Sequence, residues 1–145
     1  MIGSERWRDN WRVVIRPGAT RVELSRSCRR REAAVRQVSE LPAGAGVALA
    51  ASAPGAARRC RAFAAENGLK VEREYLAFPS AAAPAYLVED APAPVRIFAE
   101  AVLVAPPGIR FSAPITAGIA LVRALSPWRL FRILAPGRIV VGRRR

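Results

Sequence analysis

The chain has 145 residues, of which 52% are apolar, and a formal net charge of +13. That length suits one domain with a real core, and the apolar share excludes a disordered chain, which needs low hydrophobicity with high charge. There is no histidine, which excludes histidine-ligated zinc and serine–histidine–aspartate hydrolysis.

The charge is almost entirely guanidinium: of 24 basic residues only Lys70 is lysine. An anionic partner explains such an excess; so does GC-rich codon usage, which also favours Ala, Gly and Pro. Codon usage accounts for Arg over Lys but not for where the acids lie. All eleven are at or before Glu100, whereas Arg110, Arg123, Arg129, Arg132, Arg138, Arg143, Arg144 and Arg145 follow it. The last third is purely cationic.

Trp11 to Ile15 is a β-type run closed by Arg16-Pro17-Gly18, a turn signal. Thr20 to Leu24 resumes β character. Ser25 or Ser27 then caps a helix whose apolar positions Ala34, Val38 and Leu41 recur at helical spacing. Pro42 to Gly46 ends it. Gly44 and Gly46 precede the next strand, the wrong order for a dinucleotide loop, and read as helix punctuation. Val47 to Ala51 is a continuous apolar run, the mark of a strand buried on both faces.

Ser52-Ala53-Pro54-Gly55 turns into a second helix with Cys60, Phe63 and Ala64 inward, and Gly68 is its C′ residue. Lys70 to Phe78 is a strand, with Val71, Arg73, Tyr75 and Ala77 on one face and Glu72, Glu74, Leu76 and Phe78 on the other. Ala85 to Val88 is a short strand. Asp90 caps a third helix that carries Pro92 and Pro94 in its first turn, runs to Val104 and stops at Pro106-Pro107-Gly108. Pro114 to Leu125 is a helix, Ser126-Pro127 starts another, Pro136-Gly137 closes it, and Ile139 to Val141 is a last strand. The fold expected is α/β: a single Rossmann-like three-layer domain over 1–145, with a mixed sheet, parallel strands from the β-α-β unit Val47 to Phe78, a helical C-terminal third and a basic tail at 142–145.

Candidate sites follow from charge and helix ends. Ser52 and Gly55 open a helix with Arg58 and Arg59 in its first turn, and Arg29, Arg30 and Arg31 begin the helix before it. Free N–H groups and the helix dipole receive anions at such ends; the competing reading is a plain loop with solvated arginines. Glu72 with Glu74, and Glu89 with Asp90, are paired carboxylates of the kind used in acid–base chemistry, although no nucleophile-elbow motif accompanies them. Leu121 to Arg132 interleaves apolar and basic residues. Arg123, Trp128, Arg129, Phe131 and Arg132 there suit an anionic membrane or a partner surface, or a core helix with arginines turned outward.

Cys28 and Cys60 both fall on apolar helix positions and read as buried thiols rather than metal ligands; no metal is expected. The opening MIGSERWRDN lacks a signal-peptide apolar region, and Phe111 to Val122 is too short to span a bilayer. A cytoplasmic protein is expected.

Arg61-Ala62-Phe63-Ala64-Ala65-Glu66-Asn67-Gly68-Leu69-Lys70-Val71-Glu72-Arg73-Glu74-Tyr75, continued by Phe78-Pro79-Ser80 and Pro84-Ala85-Tyr86-Leu87-Val88, resembles a late segment of class I S-adenosylmethionine-dependent methyltransferases. There a helix ends in a glycine-aromatic or glycine-aliphatic pair and a strand follows. The resemblance covers at most the middle half of the chain. It implies a Rossmann-like fold and S-adenosylmethionine as cofactor. The family's acidic, glycine-rich cofactor loop, and the acid that ends its second strand, have no counterpart here, so no cofactor residue carries over. The function expected is a methyltransferase-like ligand-binding, accessory or degenerate module. The alternative is a basic protein that binds nucleic acid or an anionic membrane. A third reading is a protein partner docked on 114–125, including a second copy of the chain.

Overall fold

A computed structural model describes residues 17–102, 117, 120, 121 and 127–145. The expected strand Trp11 to Ile15 and the stop at Pro106 to Gly108 lie outside them. Of the expected helix Pro114 to Leu125, Ala117, Ala120 and Leu121 are described, and all three are helical. The chain divides into two compact units, 1–87 with 135–145, and 88–134.

The first unit is built on strands β1 (Thr20–Leu24), β2 (Gly46–Ser52), β3 (Leu69–Phe78) and β5 (Gly137–Arg144), with helices α1 (Cys28–Ser39) and α2 (Ala56–Glu66). Strand β4 (Tyr86–Glu89) leads the chain out of it. The strand order is β1-β2-β5-β3-β4. β1 and β2 are parallel, with Val22 opposite Leu49, and β5 runs antiparallel to both β2 and β3. The β-α-β unit therefore does place β2 and β3 in one direction. They are not neighbours, because the last strand is inserted between them. Gly142 permits the insertion: a Cβ there would lie 2.5 Å from the Lys70 carbonyl oxygen.

Val47 to Ala51 is buried throughout, as a continuous apolar run predicts. One face of the sheet packs Val22, Leu49 and Val140 under α1, through Ala34 and Val38, and under α2, through Cys60 and Phe63. The helical spacing read from the sequence matches these inward faces. The second face carries Ala48, Ala50, Tyr75, Ile139 and Val141, with Ala81. Gly68 follows the C-cap Asn67 at φ 63°, a left-handed conformation that suits glycine, and Leu69 starts β3.

Two expectations about strands are corrected. β3 has an irregularity between Val71 and Arg73, which pair with the consecutive residues Gly142 and Val141. The extra residue breaks the alternation, so Glu72 and Glu74 do not act as a pair: Glu72 binds Arg143 at 2.7 Å, and Glu74 binds Arg61 through both oxygens at 2.8 Å. The expected basic tail is not a tail. Gly142, Arg143 and Arg144 continue β5, and the Arg144 guanidinium donates to the carbonyls of Ser39 and Leu41 at the end of α1, where a cation suits the helix dipole.

The second unit contains helices α3 (Pro92–Val102) and α4 (Pro127–Leu134). Both prolines of α3 sit in its first turn, where no N–H bond is lost. Val95 and Ala99, one turn apart, are its buried face. Phe98 meets Phe131 edge to face at 5.9 Å between centroids.

Candidate anion-binding cleft

The carboxyl ends of the parallel strands β1 and β2 open onto a cleft of about 350 Å³, the position where open α/β sheets take ligands. Its walls come from Glu23 to Arg26 at the end of β1, Ala50 to Ala53 at the end of β2, Arg30 of α1, Arg59 of α2, and Ala81 with Ala82. The wall at Ala81 is set by Gly137, at the start of β5, where only a hydrogen fits.

Three arginines and one acid line it. Arg59 donates to the carbonyls of Ser52 and Pro54, the latter at 2.6 Å. Arg26 donates to the same Pro54 carbonyl at 3.2 Å. The Arg59 Nε is buried with no hydrogen-bond partner among the described residues. Arg30 is exposed, and no partner for it is found among them. The carboxylate, Glu23, is held by Arg21 at 2.7 Å, and Arg21 also donates to the Ala82 carbonyl at 3.0 Å.

Both helices that point into this region begin without an acidic residue and without a side-chain cap. Ser27 stands at the N-cap of α1, but its hydroxyl makes no capping bond; its N–H instead donates to the Ser25 hydroxyl. Gly55 is the N-cap of α2 at φ 75°, a left-handed residue that turns the loop into the helix.

The structure separates the predicted anion residues. Arg59 and Arg30 line the cleft, and Ser52 contributes its carbonyl to Arg59. Arg31 points elsewhere and pairs with Glu66 of α2. Arg29 and Arg58 are exposed, with no partner among the described residues. Consecutive residues on a helix are turned about 100° from one another, so a run of three arginines cannot face one ligand. Arg26 was not singled out from the sequence. Its signal is positional: it follows the strand end by two residues and precedes Arg30 by about one turn.

Of the predicted membrane or partner surface, Trp128, Arg129, Phe131 and Arg132 lie on α4. Trp128 donates its indole N–H to Asp90 at 2.8 Å, and Arg132 pairs with the other oxygen of Asp90 at 3.2 Å while lying over the Trp128 ring. Asp90 is thus the anchor of α4. Phe131 is half-buried against Phe98, Arg129 is exposed, and Arg123 lies outside the described residues.

Of the two thiols, Cys60 is fully buried as expected, but Cys28 is exposed at the first position of α1. Burial pushes the Cys60 thiol up to about 12, against the pull of Arg59. No group of three or more potential metal ligands occurs among the described residues. No helix among them is long and apolar enough to cross a membrane.

No protein-family model, curated protein sequence or solved structure matches the chain.

Proposed function

We propose that the first unit is a methyltransferase-like, Rossmann-like module that binds a small ligand other than S-adenosylmethionine in an accessory role. One observation carries this reading: the cleft at the carboxyl ends of β1 and β2, where Arg26, Arg30 and Arg59 converge. One feature supports the kinship: α2 runs into β3 through Gly68-Leu69, the junction on which the resemblance rests.

The lining is a poor match to S-adenosylmethionine. Arginines suit only its carboxylate, whereas its sulfonium and ammonium groups need anionic neighbours, and like charges repel. The loop after β2 has its carbonyls of Ser52 and Pro54 taken by Arg59, and Glu23, the carboxylate on the cleft, is taken by Arg21. Titration calorimetry of the full chain with S-adenosylmethionine tests the reading. No binding heat is expected, and micromolar affinity overturns it.

The competing reading, a basic binder of nucleic acid or anionic membrane, drew on the acid-free last third. Arg132, Arg138, Arg143 and Arg144 of that third are engaged internally, with Asp90, Glu74, Glu72 and the end of α1. A gel shift across a salt series tests it: a nucleic-acid binder loses affinity steeply as salt rises, and no shift at low salt removes it.

A further inference from the structure

We propose that the cleft holds a phosphate group, as a monoester or diphosphate on a small molecule, gripped by Arg26 and Arg59 with Arg30 at the mouth. This rests on the reading of the cleft as a ligand site. Arg26 and Arg59 donate to one oxygen, the Pro54 carbonyl, so their charged nitrogens are no farther apart than those two hydrogen bonds laid end to end. Two cations so placed repel. No carboxylate lining the cleft is left to offset them, since Glu23 is committed to Arg21.

Two further features have the same sign. The first turns of α1 and α2 carry arginines where the helix dipole favours anions. Arg30 lines the cleft with no partner among the described residues. A phosphate offsets the charge in all three places, because its oxygens accept from planar guanidinium forks. The cleft, about 350 Å³, is at the small end of ligand pockets. It suits a compact phosphorylated molecule rather than an extended polyanion.

The test titrates pyrophosphate into the full chain at low salt, alongside a short single-stranded oligonucleotide, for the native protein, the double variant Arg26→Ala with Arg30→Ala, and Arg36→Ala. Arg36 is also an exposed arginine, in the last turn of α1 and outside the cleft. Both substituted cleft residues are exposed, and circular dichroism verifies that the fold is kept. Saturable one-to-one binding of pyrophosphate is expected, weakened at least tenfold in the double variant and less than twofold in Arg36→Ala. Absence of saturation up to about 10 mM, which is weaker than about 3 kcal/mol of binding, overturns the proposal. So does equal weakening in both variants, the signature of diffuse charge. Tighter binding of the oligonucleotide that survives the double variant also overturns it, in favour of a nucleic-acid surface. Micromolar S-adenosylmethionine binding would sink the module reading alone, whereas loss of pyrophosphate binding without it would sink the phosphate alone.

Discussion

Gly137 faces Ala81 so closely that a Cβ at Gly137 would stand 2.4 Å from the Ala81 backbone nitrogen and 2.7 Å from its Cβ. That approach brings the segment after β3 over the start of β5 and forms one wall of the cleft. Backbone cannot rotate aside as a side chain can. Gly137→Ala is expected to cost about 1–3 kcal/mol, as overpacking does, and to weaken any ligand bound in the cleft. Gly44, at φ 82°, has nothing within 4 Å of a built Cβ. Gly44→Ala is expected to show only the left-handed penalty of about 1–2 kcal/mol, with the cleft intact. Urea unfolding together with ligand titration separates the two. A cleft unchanged in Gly137→Ala would contradict this packing.

Glu74 joins α2, β3 and β5. It takes Arg61 through both oxygens at 2.8 Å and lies 3.9 Å from Arg138, which is 3% exposed. Removing the carboxylate takes one counter-charge from a buried guanidinium. Breaking a fully buried pair costs about 3–5 kcal/mol. Arg61 is half exposed, so Glu74→Gln is expected to cost about 2 kcal/mol. Adding Arg138→Met is expected to recover part of that loss. A double-mutant cycle by urea unfolding reads the coupling, and strict additivity would show that the two side chains are independent.

Cys60 imposes a pH dependence. Its folded thiol titrates near 12, above the ordinary 9.0, because burial disfavours the thiolate. The unfolded chain therefore loses this proton first as pH rises. Stability is full below about 9 and falls between about 9 and 12. Each pH unit in that window removes up to about 1.4 kcal/mol through this group. Cys60→Ala is expected to be less stable at pH 7 but to show a shallower fall above pH 9, measured by denaturation at stepped pH. Equal slopes would show that other groups govern the alkaline limb. Thiol labelling at pH 8 is expected to modify Cys28 rapidly and Cys60 only on unfolding.

Asp90 anchors the second unit through Trp128 and Arg132. Its side chain is 4% exposed, so both oxygens depend on protein partners. Asp90→Ala is expected to cost about 1–3 kcal/mol within this unit, from the unmet indole N–H and the lost charge-assisted bond. Amide exchange is expected to accelerate in 92–102 and 127–134 and to stay unchanged in β2. Uniform acceleration across the chain would show instead that the two units unfold together.

Local signals were legible wherever one residue type forces a conformation or a period. The run Val47 to Ala51 became a strand buried on both faces. Ala34 with Val38, and Cys60 with Phe63 and Ala64, became inward helix faces, and Gly68 became a left-handed C′ residue. These follow from neighbours a few positions apart, so the sequence by itself determined them. The insertion of β5 between β2 and β3, the irregularity at Val71 to Arg73, and the division into two units depend on residues far apart in the chain. No local period encodes them. The same holds for charge. The sequence separates acids from the late arginines, and only the tertiary structure returns Arg132 to Asp90, Arg138 to Glu74 and Arg143 to Glu72. Pairing of this kind is set by distance in space, so the sequence alone does not show which late arginines have a counter-charge. The cleft has the same origin. Arg26 and Arg59 are 33 positions apart, and the Pro54 carbonyl brings them together only once β1 and β2 lie side by side.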